Sequence, residues 1–308
     1  MGGGGGGFIP SNNANLQKKI EDAREQEKQQ LDQQVNELLR NTLIQYNDRD
    51  TELTRQRLDD LSGVMGDKTE IESMLFGGSV AKHTYVDGLS DIDALVILDR
   101  DTTQGLSSQD VLTKMHENLT VNLTQGGIVS IEKGALAVTI KYNDGMEIQV
   151  LPGVRSDDTL KIPDSSGVGW NATQPKVFQD KLTDLNKSMN NSLVPTIKLV
   201  KSLISDLPKQ QQLSGYHVES LAIDAVEGYK GDTSPRALLN HILEHVSERA
   251  RQPMNDITGQ SRNVDDYLGE ADSTQRKLVS QAVAGIHRRL NAATSLTQWK
   301  VMFGSVEK

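Results

Sequence analysis

Glycine, serine and two aspartates occur close together between residues 75 and 98. The turn Gly77-Gly78-Ser79 comes first, and Asp91 and Asp93 follow it at the start of an apolar run. Backbone amides in a glycine-rich turn bind phosphate, and clustered carboxylates bind divalent cations. The segment therefore predicts a metal–nucleotide site in which Gly78 and Ser79 contact phosphates and the two aspartates bind metal.

Asp91 and Asp93 are two residues apart in a predicted strand, so their side chains point to the same side. Adjacent carboxylates repel each other unless a cation lies between them. The same Asp-x-Asp pattern also occurs at the solvated start of an ordinary strand. The glycine-rich turn before it favours the metal site, because glycine lets the backbone approach a phosphate closely.

A third carboxylate is expected if two metal ions are held. The predicted strand 146–151 places Glu147 and Gln149 on one face. A glutamate is a good ligand for Mg²⁺, whereas a neutral amide oxygen is a weak one. Glu147 is therefore the predicted third metal ligand.

Two further segments carry residues suited to nucleotides. Lys198 and Lys201 lie three residues apart on one face of a predicted helix, where they are either solvated lysines or point charges for a triphosphate. Ser214-Gly215-Tyr216 opens the next predicted helix. The free amides of a helix start can bind an anion, and Tyr216 is either a core residue or a stacking platform for a base.

A zinc peptidase is a competing hypothesis. His241 and His245 fit the His-x-x-Glu-His pattern and share one helix face. The spacing also arises by chance in amphipathic helices, and no downstream helix offers a recognisable third ligand. We therefore disfavour a zinc site.

The composition excludes several classes of function. A formal net charge of −9 and a pI of about 5.2 argue against a nucleic-acid duplex as partner. The absence of cysteine excludes disulfides, thiolate zinc sites and a cysteine nucleophile. The N-terminus lacks the features of a signal peptide, and no apolar run is long enough to cross a membrane, so a cytoplasmic location is expected.

The pattern along the chain predicts an α+β protein with two lobes. Residues 1–13 are expected to be a flexible glycine-rich arm. A charged helical segment from 14 to 61, with a break or bend at 47–50, is expected to lie across both lobes. Strands and one helix follow, namely 94–98, 108–124 (helix), 128–133, 135–141 and 146–151, the last ended by Pro152-Gly153. Helices are then predicted at 175–189, 193–206, 215–229, 235–250 and 272–296. We expect a catalytic lobe with the N-terminal helix over 14–160 and a helical lobe over 161–308.

The sequence resembles a known family. Gly-Gly-Ser followed by Asp-Ile-Asp is similar to the signature of polymerase-β-like nucleotidyltransferases. The stretches 170–175 (WNATQP), 194–203 (VPTIKLVKSL), 214–224 (SGYHVESLAID) and 256–269 (DITGQSRNVDDYLG) resemble bacterial cGAS/DncV-like nucleotidyltransferases. These enzymes are the oligonucleotide cyclases of CBASS anti-phage defence. The resemblance runs from about residue 70 to residue 296.

The resemblance implies a bilobal enzyme with a polymerase-β-like core (a mixed sheet with helices), an all-α C-terminal lobe and a long N-terminal helix. Mg²⁺, with Mn²⁺ as an alternative, would be bound by Asp91 and Asp93. The donor phosphates would contact Gly78 and Ser79, and the triphosphate would contact Lys201, with Lys198 as the alternative. Tyr216 would stack on the donor base. The remaining residues implied near the active-site rim are Asp256, Thr258, Ser261 and Asp265.

One position departs from the family pattern. Many relatives carry an aspartate three residues before the proline of the third strand, and Gln149 occupies that position here. Either Glu147 replaces it or catalysis is weakened. The sequence therefore predicts a synthase of cyclic di- or oligonucleotides that uses nucleoside triphosphates, with accessory and effector proteins encoded nearby. Two alternatives are a nucleotidyltransferase with an RNA or protein acceptor and a nucleotide-binding pseudoenzyme.

Overall fold

The computed structural model describes residues 11–46, 51–66, 71–76, 92–98, 103–156, 159–164, 169–257 and 264–304. The strands are β1 (Ile71–Phe76), β2 (Ile92–Leu98), β3 (Ile128–Lys133), β4 (Val138–Tyr142), β5 (Glu147–Ser156), β6 (Thr159–Pro163) and β7 (Trp170–Thr173). The helices are α1 (Ser11–Gln45), α2 (Thr51–Gly66), α3 (Ser108–Asn122), α4 (Pro175–Ser188), α5 (Leu193–Ser205), α6 (Gly215–Val226), α7 (Pro235–Arg249), α8 (Thr274–Ala292) and α9 (Leu296–Met302). The predicted α+β class is confirmed.

The strands form one mixed sheet in the order β1-β2-β5-β4-β3, and β6 joins β5 to β7. The β2 and β5 strands run parallel, and the other described pairs are antiparallel. The β2 and β5 strands are distant in sequence but adjacent in the sheet. Residue 93 of β2 and residues 147–149 of β5 therefore come together in the centre of the sheet.

One face of the sheet is covered by α2 and α3. Alternate residues of the central strands point toward these helices, as the two-residue period of a strand requires. They are buried in a single hydrophobic cluster, the sheet cluster, together with helix side chains: Leu58, Leu61, Met65, Ile92, Ala94, Val96, Leu98, Val111, Leu112, Met115, Leu119, Leu123, Val138, Ile140, Tyr142, Ile148 and Val150. The residues between them in the strands therefore point to the opposite face.

The hairpin between β4 and β5 is confirmed at Asn143-Asp144-Gly145. Gly145 has a φ of +86°, a conformation that glycine adopts without a steric cost. Arg57 of α2 fixes this turn: its guanidinium lies 2.8 Å from Asp144 Oδ2 and 3.8 Å from the centre of the Tyr142 ring. The hydrogen bond from Arg57 lowers the pKa of Asp144. The turn sets the register that places Glu147 at the start of β5.

The prediction that Pro152-Gly153 ends β5 is wrong, because the strand continues to Ser156. The pairing with β4 stops at Val150, so the missing N–H of Pro152 falls beyond that ladder. Gly153 allows the Leu160 side chain to pack closely against β5, since a Cβ at position 153 would lie 3.0 Å from the Leu160 Cδ1 atom. The added length pairs with β6, and neither β6 nor β7 was predicted.

The charged segment from 14 to 61 forms two helices, and the predicted break at 47–50 lies outside the described residues. Their buried side chains belong to different clusters. Val35 and Leu39 of α1 pack with α4–α9 in what we call the helical cluster, whereas Leu58 and Leu61 of α2 belong to the sheet cluster. The lobe boundaries at 14–160 and 161–308, and the arm at 1–13, stay predictions.

The helical cluster is built around α5, α6, α7 and α8. The α5 helix is strongly apolar and is buried on most of its circumference. The α1 helix is tied to α7, because Arg236 forms an ion pair with Asp32 and its backbone N–H donates to Asn36 Oδ1 at 2.8 Å. None of the helices described here is long and apolar enough to cross a membrane.

Candidate active site

The sheet face opposite α2 and α3 carries oxygen-bearing side chains where β2 and β5 begin. In the parallel register, Asp93 pairs directly with Gln149, and Glu147 lies two residues earlier on β5. The alternation of strand side chains puts all three on one face. They are half-buried, whereas the neighbouring Ile92 and Ile148 are fully buried on the other face. The structure thus brings together Asp93 and Glu147, two of the three predicted metal ligands.

The β4 strand extends this face on one side. In its register Thr139 pairs with Gln149, and Lys141 pairs with Glu147. The Lys141 ammonium lies 2.9 Å from Glu132 Oε2, and this hydrogen bond lowers the pKa of Glu132. The face therefore presents carboxylate, amide and hydroxyl oxygens, the type of donor that a hard divalent cation prefers.

Three predicted site residues lie outside the described residues: Gly78, Ser79 and Asp91. In the described part of the chain, no group of three or more His, Cys, Asp or Glu side chains is arranged to hold a metal ion. The metal site and its phosphate-binding turn therefore stay predictions.

The two predicted phosphate-binding lysines differ in their surroundings. Lys198 is half-buried, and burial lowers its pKa, with a further lowering by the charge of Lys201. The Lys201 side chain is only 8% exposed, and its ammonium lies 2.6 Å from Glu219 Oε1. The hypothesis of two ordinary solvated lysines is therefore excluded for Lys201, which belongs to a buried ion pair.

The segment Ser214-Gly215-Tyr216 begins α6 as predicted. The Ser214 hydroxyl caps the helix by accepting from the His217 backbone N–H. The Tyr216 ring packs at 4.8 Å from the Phe178 ring, and its hydroxyl donates to Asp256 Oδ1 at 3.0 Å. Burial raises the pKa of Tyr216 far above its usual value, and Asp256 raises it further. Tyr216 is thus half-buried and fixed at both its ring and its hydroxyl.

A polar network lies beneath the start of α6, and three of its members, His217, Asp265 and Arg276, are buried. The Tyr267 hydroxyl accepts from the Ser214 N–H at 3.0 Å and contacts His217 Nδ1 at 3.0 Å. His217 Nε2 lies 3.5 Å from Asp265 Oδ2, which also accepts a 2.7 Å hydrogen bond from Arg276. Asp265 is fully buried in this ion pair, and its implied place near the active-site rim stays a prediction. Thr258 and Ser261, which were also implied at the rim, lie outside the described residues.

His217 is uncharged in this network. Burial lowers its pKa to about 4, against an opposing effect of the Asp265 carboxylate. The guanidinium groups of Arg276 and Arg249 lower it further. In a neutral imidazole, Nδ1 accepts a hydrogen bond from the Tyr267 hydroxyl, which agrees with these surroundings.

Four residues of these contacts were not predicted from the sequence, namely Glu219, His217, Tyr267 and Arg276. A signal was present for Glu219, because it is the acidic residue in a buried and mostly apolar stretch of α6 that contains Val218, Leu221, Ala222 and Ile223. Such a residue needs a buried counter-charge, and Lys201 supplies it. The other three depend on long-range contacts that no local pattern reveals.

The arrangement of His241 and His245 does not support a zinc site. His241 Nε2 lies 2.7 Å from the Ala225 carbonyl oxygen, and its ring stacks on Tyr229 at 4.2 Å. His245 Nε2 lies 2.7 Å from Asp224 Oδ2. Each imidazole therefore bridges α7 to the region around the C-terminal end of α6, which is a structural role.

Comparison with known families decides the class of this chain. Residues 29–186, just over half of the sequence, match the Second Messenger Oligonucleotide or Dinucleotide Synthetase domain. This chain belongs to that synthetase family. The match contains Asp93, Glu147 and Gln149, whereas Lys198 and later residues lie beyond it. The synthetase is a nucleotidyltransferase that makes second messengers, and the predicted resemblance to cGAS/DncV-like enzymes is confirmed.

Solved structures of low sequence identity share the fold of this synthetase. Escherichia coli MS115-1 CdnC with ATP superimposes with a TM-score of 0.63 at 15% identity, covering 82% of this chain and 90% of CdnC. Vibrio cholerae DncV, a cyclic AMP-GMP synthase, has a TM-score of 0.60 at 12% identity, covering 96% of this chain and 91% of DncV. Elizabethkingia meningoseptica CdnE, a cyclic dinucleotide synthase with GTP and Apcpp, has a TM-score of 0.58 at 13% identity, covering 75% of this chain and 91% of CdnE. Among curated protein sequences, none matches this synthetase.

Proposed function

We propose that the synthetase joins nucleoside triphosphates into a cyclic di- or oligonucleotide that serves as the messenger of CBASS anti-phage signalling. The observation that carries the proposal is the family match over residues 29–186, which contains Asp93 and Glu147 on one sheet face. Similar folds bind the expected substrates, since the CdnC structure contains ATP and the CdnE structure contains GTP.

Asp91, Asp93 and Glu147 would hold Mg²⁺, or Mn²⁺ as the alternative. The side chains described on this face fit such an ion, because Asp93, Glu147 and Gln149 all offer oxygen donors. Bound metal would neutralise phosphate charge and make the attacking hydroxyl more acidic. Gln149 contributes only a neutral donor, so Glu147 carries the charge on β5.

The polar groups of the remaining segments would position the triphosphate and the base. Gly78 and Ser79 would bind the donor phosphates through backbone amides and a hydroxyl. Lys198 and Lys201 would attract the triphosphate as point charges. Ser214 would sit beside the phosphates at the start of α6, and Tyr216 would offer its ring, backed by Phe178, to the donor base.

In each step a ribose hydroxyl attacks the α-phosphorus of a second triphosphate. The new bond joins oxygen to phosphorus, the bond from the α-phosphorus to the β-phosphate oxygen breaks, the hydroxyl proton is released, and pyrophosphate leaves. Holding the two reactants in line removes most of the entropic cost of the encounter. A second step of the same kind closes the ring after the linear intermediate reorients, so the pocket accepts more than one pose.

The aspartates test this assignment. The double variant Asp91→Asn/Asp93→Asn should lose product formation while keeping its unfolding midpoint, because asparagine keeps the shape and removes the charge. Asp184→Asn, at an exposed position of α4, is the matched control and should keep full activity. Undiminished product from the double variant would refute the assignment.

Gln149 favours one alternative, a nucleotide-binding pseudoenzyme, because it faces Asp93 where many relatives carry an aspartate. Calorimetry that shows triphosphate binding without turnover, in Mg²⁺ and in Mn²⁺, would support it. Transfer to an RNA or protein acceptor is tested with labelled triphosphates, with and without acceptor. A cyclic product resists phosphatase because it has no terminal phosphate, whereas a linear product does not.

Partner proteins are also expected. One similar structure is a complex of CdnC with HORMA-deltaN, and another is a STING-associated CdnE c-di-GMP synthase. We therefore expect CBASS effector or accessory proteins, encoded nearby, to act with this synthetase.

A further inference from the structure

A buried ion pair joins α5 to α6. The Lys201 ammonium lies 2.6 Å from Glu219 Oε1, and the two side chains are 8% and 1% exposed. A buried ammonium without a counter-charge is strongly unfavourable, because its lost hydration is not replaced. Glu219 therefore allows Lys201 to keep its charge at this depth.

The ammonium lies directly beneath Gly215, the exposed first residue of α6. A Cβ atom at position 215 would be 3.4 Å from Lys201 Nζ and 3.5 Å from Lys201 Cε. Gly215 is not among the glycines with a positive φ, so its backbone conformation does not require glycine. The missing side chain has a different consequence: nothing at position 215 covers the ammonium from the outside.

A second positive charge lies close to the pair. Lys198 stands one helical turn earlier on α5, and the charge of Lys201 lowers its pKa in addition to the effect of burial. The two lysines therefore interact electrostatically, and the Glu219 carboxylate lies beside Lys201. An approaching polyphosphate would relieve the repulsion between the two ammonium groups.

We propose that Glu219 and Gly215 are positioning residues for the triphosphate: Glu219 holds the Lys201 ammonium in place, and Gly215 leaves it open to the phosphates. The inference rests on the proposed function, in which Lys201 contacts the triphosphate. Neither residue touches the nucleotide through its own side chain; both act through Lys201.

Gly215→Ala tests the open approach without removing any interaction. Alanine is at least as favourable as glycine in a helix, and its methyl group would meet the ammonium at an ordinary contact distance. The variant should therefore keep or raise its unfolding midpoint, yet bind inorganic tripolyphosphate and ATP at least about tenfold more weakly and show a raised KM. Gly63→Ala in α2 is the matched control, because a Cβ there meets nothing within 4 Å. It should bind like the wild type.

Glu219→Gln tests the positioning of the ammonium. It should lower tripolyphosphate affinity at least about tenfold and also lower the unfolding midpoint, since a buried pair is broken. Glu248→Gln, at an exposed position of α7, is the control for loss of one negative charge. The double variant Lys201→Met/Glu219→Met removes both buried charges, so it should regain stability but not affinity.

Calorimetric titration of the full-length chain with tripolyphosphate, alongside steady-state kinetics, distinguishes the outcomes. The wild type should bind tripolyphosphate and turn over triphosphates. If it does, and if Gly215→Ala and Glu219→Gln bind tripolyphosphate as tightly as the wild type, the inference is refuted and the proposed function stands. Tighter binding by Glu219→Gln would have the same meaning. Recovery of affinity in the double methionine variant would also refute it. If the wild type binds neither probe, the proposed function itself fails.

Discussion

Acidification should destabilise this protein through one buried histidine. His217 is fully buried, and its pKa is lowered from 6.5 to about 4. Between these two values the unfolded chain binds a proton that the folded chain does not. Stability linked to His217 is therefore fully present above pH 6.5 and is lost as the pH falls toward 4.

The size of the effect follows from the two pKa values. Each pKa unit corresponds to about 1.4 kcal/mol, so the full effect is about 3 kcal/mol. The loss of unfolding free energy between pH 8 and pH 5 should be about 2 kcal/mol, because part of the window lies below pH 5. The charge of Asp265 raises the pKa of His217 and so opposes the effect of burial, whereas the charges of Arg276 and Arg249 lower this pKa further.

Urea unfolding at a series of pH values, in the wild type and in His217→Asn, isolates this contribution. Carboxylates also titrate in this range, but the contributions of those that do not contact His217 cancel in the difference between the two proteins. The difference in unfolding free energy between the wild type and His217→Asn should decrease by about 2 kcal/mol from pH 8 to pH 5. His287→Asn is the control and should follow the wild type, since His287 lies in a solvent-accessible contact with Asn291. A pH dependence in His217→Asn equal to that of the wild type would refute the reasoning.

Three further outcomes are expected. Glu147→Gln should lower product formation by more than the roughly 10–100-fold loss that an outer-shell partner causes, and Gln149→Leu should have a smaller effect in the same steady-state assay. Equal effects would contradict the assignment of Glu147 as the charged ligand. Tyr267→Phe should lower the unfolding free energy by about 1 kcal/mol, because both hydrogen bonds of its hydroxyl are lost at a partly exposed position; an unchanged urea midpoint would contradict this. Ser107→Ala, which removes the capping box of α3, should cost about 1 kcal/mol in thermal unfolding, and no change would show that the cap is unimportant.

Local patterns predicted most of the elements. The α3 helix and β2–β4 follow the predicted ranges closely, and the Asn-Asp-Gly turn forms the hairpin before Glu147. These features depend on near neighbours in sequence: alternation, capping and turn residues. The extension of β5 past Pro152 was missed because it depends on pairing with β2 and β6, which lie outside any local window.

The sequence indicated candidate residues for the site, but not the tertiary contacts that surround them. The parallel register that sets Asp93 beside Gln149 joins residues 56 positions apart, so spacing along the chain gave only the shared face of each strand. Lys201 was selected from the sequence, and its role at the triphosphate stays a prediction. Its partner Glu219 was not selected, since the only local sign of a buried pair between two helices is one charged residue in a mostly apolar stretch. Asp265 was placed near the rim by resemblance alone, and its ion pair with Arg276 was not predicted because it is a tertiary contact between a loop and α8.

The central claim is that this synthetase closes a ring from nucleoside triphosphates, and mass spectrometry of its products tests it most directly. The full-length protein is incubated with an equal mixture of the four triphosphates and Mg²⁺, and the reaction is treated with phosphatase before measurement. We expect a product whose mass equals that of a cyclic di- or oligonucleotide. A wild-type protein that turns triphosphates over to give only linear or acceptor-linked products would contradict the account.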